Sequence, residues 1–165
     1  GRGTEVCAAT PAPSTAALPG AGLHDASGLA PVFEVYRTHS TTRSADSTEL
    51  ALFGTPRLAS LERLLRRNGV RVALEDVAIP EAVIPALDED ANPDLARLLQ
   101  DAGLAFARID DHVTAAVTTM SQSVALACDR HTALLVLTRT ARDATGTAIA
   151  RQRLRLVADD LVYGP

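Results

Sequence analysis

The sequence predicts an α+β domain, an antiparallel sheet with helices packed on it. Three observations carry that expectation. Residues 58–80, LASLERLLRRNGVRVALEDVAIP, read as a strand, a turn at Arg67-Asn68-Gly69 and a returning strand. An Asn-Gly pair between aliphatic runs signals a hairpin because both residues tolerate positive φ. Residues 133–157 repeat the plan around Asp143-Ala144-Thr145-Gly146. Helical signals separate the two hairpins, which favours an antiparallel sheet over a βαβ winding.

From the start of the chain, Gly1-Arg2-Gly3-Thr4-Glu5-Val6 leads into residues 7–30, rich in Ala, Pro, Gly, Ser and Thr. That composition buries too little surface to order itself and reads as a flexible linker, so the folded domain is expected over 31–165. Val32–His39 alternates with period two and is expected to be a strand. Asp46-Ser47-Thr48-Glu49 opens a short helix with Asp46 or Ser47 as N-cap and Leu50, Leu52 and Phe53 as its apolar face. Gly54 and Pro56 end it.

Charge argues the register of the first hairpin. A two-residue loop sets Glu62 opposite Glu75, and like charges directly opposite are unfavourable. A three-residue loop with Gly69 left-handed pairs Glu62 with Leu74 instead. One face then carries Leu61, Arg63, Leu65, Ala73, Glu75, Val77 and Ile79, apolar except for Arg63 and Glu75, which lie diagonally across the strands. Beyond Pro80, Glu81–Leu87 reads as a short helical turn. Asn92 is the expected N-cap of a better helix with Pro93 at its first position, Leu95, Leu98 and Leu99 as its buried stripe and Gly103 at its end. Leu104–Met120 reads as a long, bent strand with Asp110-Asp111 marking an exposed part. Ser121 is expected to cap a helix over Gln122–Cys128 that turns Val124, Ala125 and Cys128 inward. A short strand at Leu161-Val162-Tyr163 closes the chain.

The 165 residues suffice for one domain with a real core. A net charge of −4 and a pI near 5.5 argue against this chain gripping nucleic acid unaided. All sixteen cationic residues are Arg, which excludes Schiff-base chemistry and a P-loop lysine. Cys7 and Cys128 form no CxxC or disulfide framework, and no apolar run approaches a membrane span, so a soluble cytoplasmic protein is expected.

Arg63 with Glu75 is the most informative feature, and two readings stay open. Guanidinium suits bidentate recognition of a ligand carboxylate or phosphate, and it suits Glu75 equally well. Asp94 fits a first turn through the helix dipole. Arg151, Arg153 and Arg155 share the opposite strand face from Ala150, Gln152 and Leu154 and read as a solvated or subunit-facing stripe. Asp110 and Asp111 point to opposite faces of their strand and chelate poorly together, and the four His show no ligand spacing, so no metal or cofactor is expected. Ser121, Ser123 and His131 lack a nucleophile-elbow pattern.

From Pro31 to Tyr163 the chain resembles the UTRA domain, the effector-binding half of HutC-subfamily GntR-type bacterial repressors. The likeness rests on the Arg63 strand with Asn68-Gly69, Ala73-Leu74-Glu75 and Ile79-Pro80. It continues in Asp94–Leu99 ahead of Gly103, in Ser121–Cys128 before a strand ending in Arg139, and in Asp143-x-x-Gly146 with a long final strand. The opening Gly1–Val6 is similar to the end of the GntR wing, which implies a winged-helix domain before Gly1. The resemblance implies a chorismate-lyase-like fold, a homodimer, a small-molecule metabolite as partner, and DNA contacted only through the preceding domain. In sugar-phosphate-sensing relatives two Arg on the first hairpin strand, a Glu on the second, a Ser at the next helix start and a Glu on the last strand bind the effector. Carried over, Arg63 and Glu75 are kept, while the second Arg falls on Leu65, the Ser on Asp94 and the last Glu on Ala150. Gln152, on the same strand face as Ala150, replaces some polar contact. These six positions imply a more apolar pocket with one cation and one or two anions. Three functions follow: an effector-sensing module, a chorismate-lyase-like enzyme with Arg63 holding a carboxylate and Glu75 as acid or base, or a dimerisation module without a ligand.

Overall fold

The computed structural model describes residues 22–157 and 160–164. In chain order its elements are β1 Leu23–His24, β2 Glu34–Ser44, α1 Ser47–Phe53, β3 Arg57–Arg67, β4 Val70–Pro80 and α2 Leu95–Asp101. They continue with β5 Arg108–Val117, α3 Met120–Leu126, β6 Ala133–Arg142, β7 Ala148–Leu156 and β8 Val162–Tyr163. Six strands form one antiparallel sheet in the order β2-β3-β4-β7-β6-β5, and β1 pairs with β8 as a separate two-stranded ribbon. The α+β architecture matches the expectation from the two hairpins.

The β3–β4 turn is tighter than the charge argument predicts. Asn68 and Gly69 both take positive φ, 53° and 79°, so the loop is the two-residue type I′ turn that such pairs favour. A bulge then leaves Val72 unopposed: Arg66 faces Arg71, while Leu65 faces Ala73. The bulge places Glu75 directly opposite Arg63, not diagonal to it, and Glu62 opposite Asp76 rather than Leu74. This register differs from the expected one by two residues, and the side-chain period in a strand is two. The set of residues sharing the Arg63 face is therefore unchanged.

Helices cover both faces of the sheet. On the Arg63 face, Leu95, Leu98 and Leu99 of α2 pack over Ala59, Leu61, Val77, Ile79 and Ala150. The β1–β8 ribbon covers the other end of that face through Leu23 and Leu161, against Leu65, Ala73, Leu137, Leu154 and Leu156. Residues 23–24, which composition assigns to the linker, are thus held in a strand, because Leu23 pairs with Tyr163 and is buried in this core. Residues 7–21 and the wing-like opening lie outside the described residues. On the opposite face Leu126 of α3 packs on Leu64 and Leu134.

Helix caps shift several expected boundaries. Asp94, not Asn92, caps α2 by accepting from Ala96 N–H, and Asn92 instead accepts from Asp94 N–H. Thr119, not Ser121, caps α3, in a reciprocal pair with Gln122. The face α3 turns to the sheet carries Ser123 and Leu126, while Val124 is exposed. Residues 81–83 form a turn, not a helix. Asp111 belongs to a buried contact described below, so only Asp110 of that pair is open. Among the described residues no helix is long and apolar enough to cross a membrane.

In α1 the buried residue is Glu49, whereas Leu50 is exposed. Glu49 accepts from Arg43 at 2.7 Å through both oxygens and from Arg151 at 2.8 Å, and it closes a capping box with Asp46. Arg151 is therefore buried and paired, and Arg155 pairs with Asp76, so the expected solvated stripe is largely an ion-pair network. The Arg43 guanidinium, ahead of the opposing cost of burial, lowers the Glu49 carboxyl from its ordinary 4.5 to about 2. A depressed carboxyl stabilises the fold above its unfolded value and loses that contribution as pH falls through the folded one. Glu49→Gln is expected to cost about 3 kcal/mol at neutral pH, since it leaves two guanidiniums without their carboxylate. Urea unfolding between about pH 4.5 and 2 checks the sign: the parent should lose stability across that window more steeply than the variant.

Candidate functional site

Arg63 and Glu75 meet at the centre of the sheet. Arg63 Nε donates to Glu75 Oε1 at 2.5 Å and Nη2 to Oε2 at 3.2 Å, and neither side chain is exposed. Arg63 Nη1 donates to the Ala91 carbonyl. Gln152 Nε2, from β7, donates to Glu75 Oε2 and to the Pro93 carbonyl, both at 2.6 Å. The two side chains thus strap the segment before α2 onto the sheet. Ser40 holds the start of that segment by donating from its hydroxyl to Leu87 O at 2.7 Å. Removing the charges from water is costly, and the bidentate geometry with its extra bonds offsets that cost.

The strapped segment forms one wall of a cavity of about 310 Å³. Asn92, Pro93 and Asp94 stand on that side, Leu137, Leu154 and Arg139 form the sheet floor, and Leu23 with 30–33 forms the far wall. The lining is mostly apolar. Arg139 is almost fully buried and reaches Asp111 at 3.3 Å, while Tyr163 donates its hydroxyl to Asp111 at 2.8 Å. The cation on the floor is therefore already matched by an anion from β5.

Of the six residues carried over from the resemblance, Asp94 alone lines this cavity. Its carboxylate is engaged as the α2 cap. Arg63, Glu75 and Gln152 form the covered network beside it. Ala150 lies in the core under α2, and Leu65 lies in the core under the ribbon. Sequence reasoning passed over Arg139, Asp111 and Tyr163 as a group. The signal was present but non-local: a charged residue amid the alternating Leu of β6 points inward and needs a partner, which is Asp111 of β5, itself bonded by Tyr163 of β8.

The family model of the UTRA domain matches residues 26–161. The HTH-type transcriptional repressor PhnF of Mycolicibacterium smegmatis is 31% identical over 112 residues, covering 67% of this chain and 46% of that protein. The chain thus spans less than half of that relative's length. Among solved structures, the ligand-binding domain of a protein assigned to the GntR family of transcriptional regulators, from Bordetella bronchiseptica, aligns with a TM-score of 0.72 at 13% identity. That alignment covers 87% of this chain and 94% of that one. The effector domain of PhnF from Mycobacterium smegmatis aligns with a TM-score of 0.65 at 24% identity, covering 88% of each.

The network generates a stability test. Arg63→Ala leaves Glu75 covered without its cation, and is expected to cost about 3–5 kcal/mol in urea unfolding. The double replacement Arg63→Leu with Glu75→Leu should recover most of that loss, because both desolvated charges go together. A double variant no more stable than Arg63→Ala would contradict the pair's place at the centre of the packing.

Proposed function

The chain belongs to the UTRA domain family, and on that footing we propose that it is the effector-sensing and dimerising domain of a bacterial GntR-type regulator of the HutC subfamily. A small metabolite enters the cavity between the sheet, the segment before α2 and residues 30–33, and biases the dimer geometry that a separate winged-helix domain presents to DNA. Such coupling requires the two geometries to differ in their contacts with the ligand. The observation that carries this reading is the cavity itself, enclosed by the segment that Arg63 and Gln152 strap down.

The charge balance of the lining supports a class of effector. Glu75 matches Arg63, Asp111 matches Arg139, and Asp94 adds an anion, so the wall offers no surplus positive charge. A mainly apolar molecule with one polar group fits this lining better than a sugar phosphate. Arg63, Glu75, Asp94 and Gln152 then shape the pocket wall, with Leu65 and Ala150 as packing behind it. An enzyme using Arg63 and Glu75 on substrate needs both side chains to face it, and both are covered. The ligand-free reading fits the closed ion pair but leaves the open volume beside it without a use.

For the homodimer, β5 supplies the surface. It is an edge of the sheet, and His112–Val117 are exposed on both of its faces. Val113 and Val117 on β5, and Met120 and Val124 on α3, are exposed apolar side chains. Unprotected edges of this kind pair with another strand, here the β5 of a second copy.

Two measurements test the reading. In a thermal-shift screen, a saturating apolar acid, alcohol or amide should add about 2.7 kcal/mol at a hundred times its dissociation constant. Arg139→Gln is expected to reduce that shift, whereas sugar phosphates should give none. In light scattering, Val113→Arg should convert the dimer to a monomer of unchanged circular dichroism. A parent that is monomeric at all concentrations removes the dimer from the proposal.

A further inference from the structure

We propose that Arg37, Arg66 and Arg71, gathered on the ring of Tyr36, form a second binding site, for a phosphate group, on the α3 side of the sheet. The site is independent of the cavity beside Arg139. Two bulges build it. One in β2 sets Tyr36 out of register between Val35 and Arg37, and the other in β4 leaves Arg71 facing Arg66 across the hairpin. Bulges re-aim side chains in this way and recur at functional sites. The guanidinium carbons of Arg66, Arg71 and Arg37 lie 4.6, 5.0 and 5.8 Å from the Tyr36 ring centroid.

The charge pattern there differs from the rest of the molecule. In this acidic chain most arginines, such as Arg43, Arg142 and Arg151, stand beside a carboxylate. None of the three around Tyr36 forms such a pair among the described residues. Glu34 is the cross-strand neighbour of Arg66 and makes no ion pair with it. Two like charges directly opposite on paired strands repel, and stacking on an exposed ring only partly relieves that. Arg66 Nε is buried without an acceptor. Arg71 is held in place, donating to the Ala125 carbonyl at 3.2 Å and reaching the Tyr36 hydroxyl at 3.5 Å.

Three planar donor groups exceed the two oxygens of a carboxylate and suit a phosphate, whose oxygens accept from several guanidiniums at once. Arg37 also borders a groove lined by His39, Glu62, Leu64, Leu74, Asp76 and Arg155. The groove gives the remainder of a phosphorylated small molecule a place to lie. Asp76 is already taken by Arg151 and Arg155, and Glu75 by Arg63, which leaves Glu62 as the acid facing the ligand.

Inorganic phosphate, then phenyl phosphate, titrated into the whole 165-residue chain against sodium chloride of equal ionic strength tests the site by thermal unfolding. Phosphate should raise Tm above the chloride control, with phenyl phosphate binding more tightly. Arg66→Gln should weaken both about tenfold, as should Arg37→Gln, while Arg97→Gln, on the exposed side of α2, should not. Without phosphate, Arg66→Gln should unfold no earlier than the parent, because it relieves the repulsion with Arg71. A phosphate response equal to that of chloride, or one that survives Arg66→Gln and Arg37→Gln, overturns the proposal. Binding to a duplex oligonucleotide with no response to phosphate overturns it too, and assigns the patch to a nucleic-acid backbone.

Discussion

The buried pair between Arg63 and Glu75 is the constraint on which the rest of the structure depends. Two charges fully removed from water persist only where geometry and further hydrogen bonds satisfy them. Here that requirement reaches in three directions. It needs the β4 bulge, which brings Glu75 opposite Arg63. It draws in Gln152 from β7, tying the two hairpins together. It also takes the Ala91 carbonyl as an acceptor, which fixes the entry to α2 and so the wall of the cavity. One ion pair thereby sets a register, a strand order and the position of a segment that has no regular structure of its own.

The two faces of the sheet use their arginines differently. Beneath α2 and the ribbon, Arg63 and Arg139 are enclosed and matched by Glu75 and Asp111, which keeps an otherwise apolar cavity electrically balanced. On the other face Glu49 gathers Arg43 and Arg151 under α1, and Asp76 gathers Arg155. The Tyr36 cluster departs from this pattern of compensation. A chain whose cations are all arginine can build such networks because the guanidinium stays charged when buried and donates along fixed directions.

The site was less legible in the sequence than the fold. Alternation placed Arg63, Glu75 and Gln152 on the correct face, since strand period alone decides that. It could not show that the first two would satisfy each other rather than a ligand, because that depends on the Ala91 and Pro93 carbonyls arriving from a loop. The likeness to UTRA domains pointed to Leu65 and Ala150, which pack in the core. It did not mark Arg139 as a site residue; its partner Asp111 lies on β5 and is held in turn by Tyr163 of β8, both distant in sequence. The linker reading missed Leu23-His24 for a similar reason. Leu23 has no apolar neighbours in the chain and becomes buried only when β8 returns beside it.

By itself the sequence determined what local physics controls. Asn68-Gly69 dictated the first turn, Asp143–Gly146 the second, Asp46 with Glu49 a capped helix, and the apolar periodicity the faces of the strands and of α2. These follow from backbone preference and side-chain spacing within a few residues. Tertiary structure alone decided the pairing register of β3 with β4, the inward turn of Glu49, the closure of Arg63 on Glu75 and the grouping of three arginines on Tyr36. Each rests on a charge whose cost or relief depends on groups brought from other strands, and a buried charge has no fixed energy until its surroundings are complete.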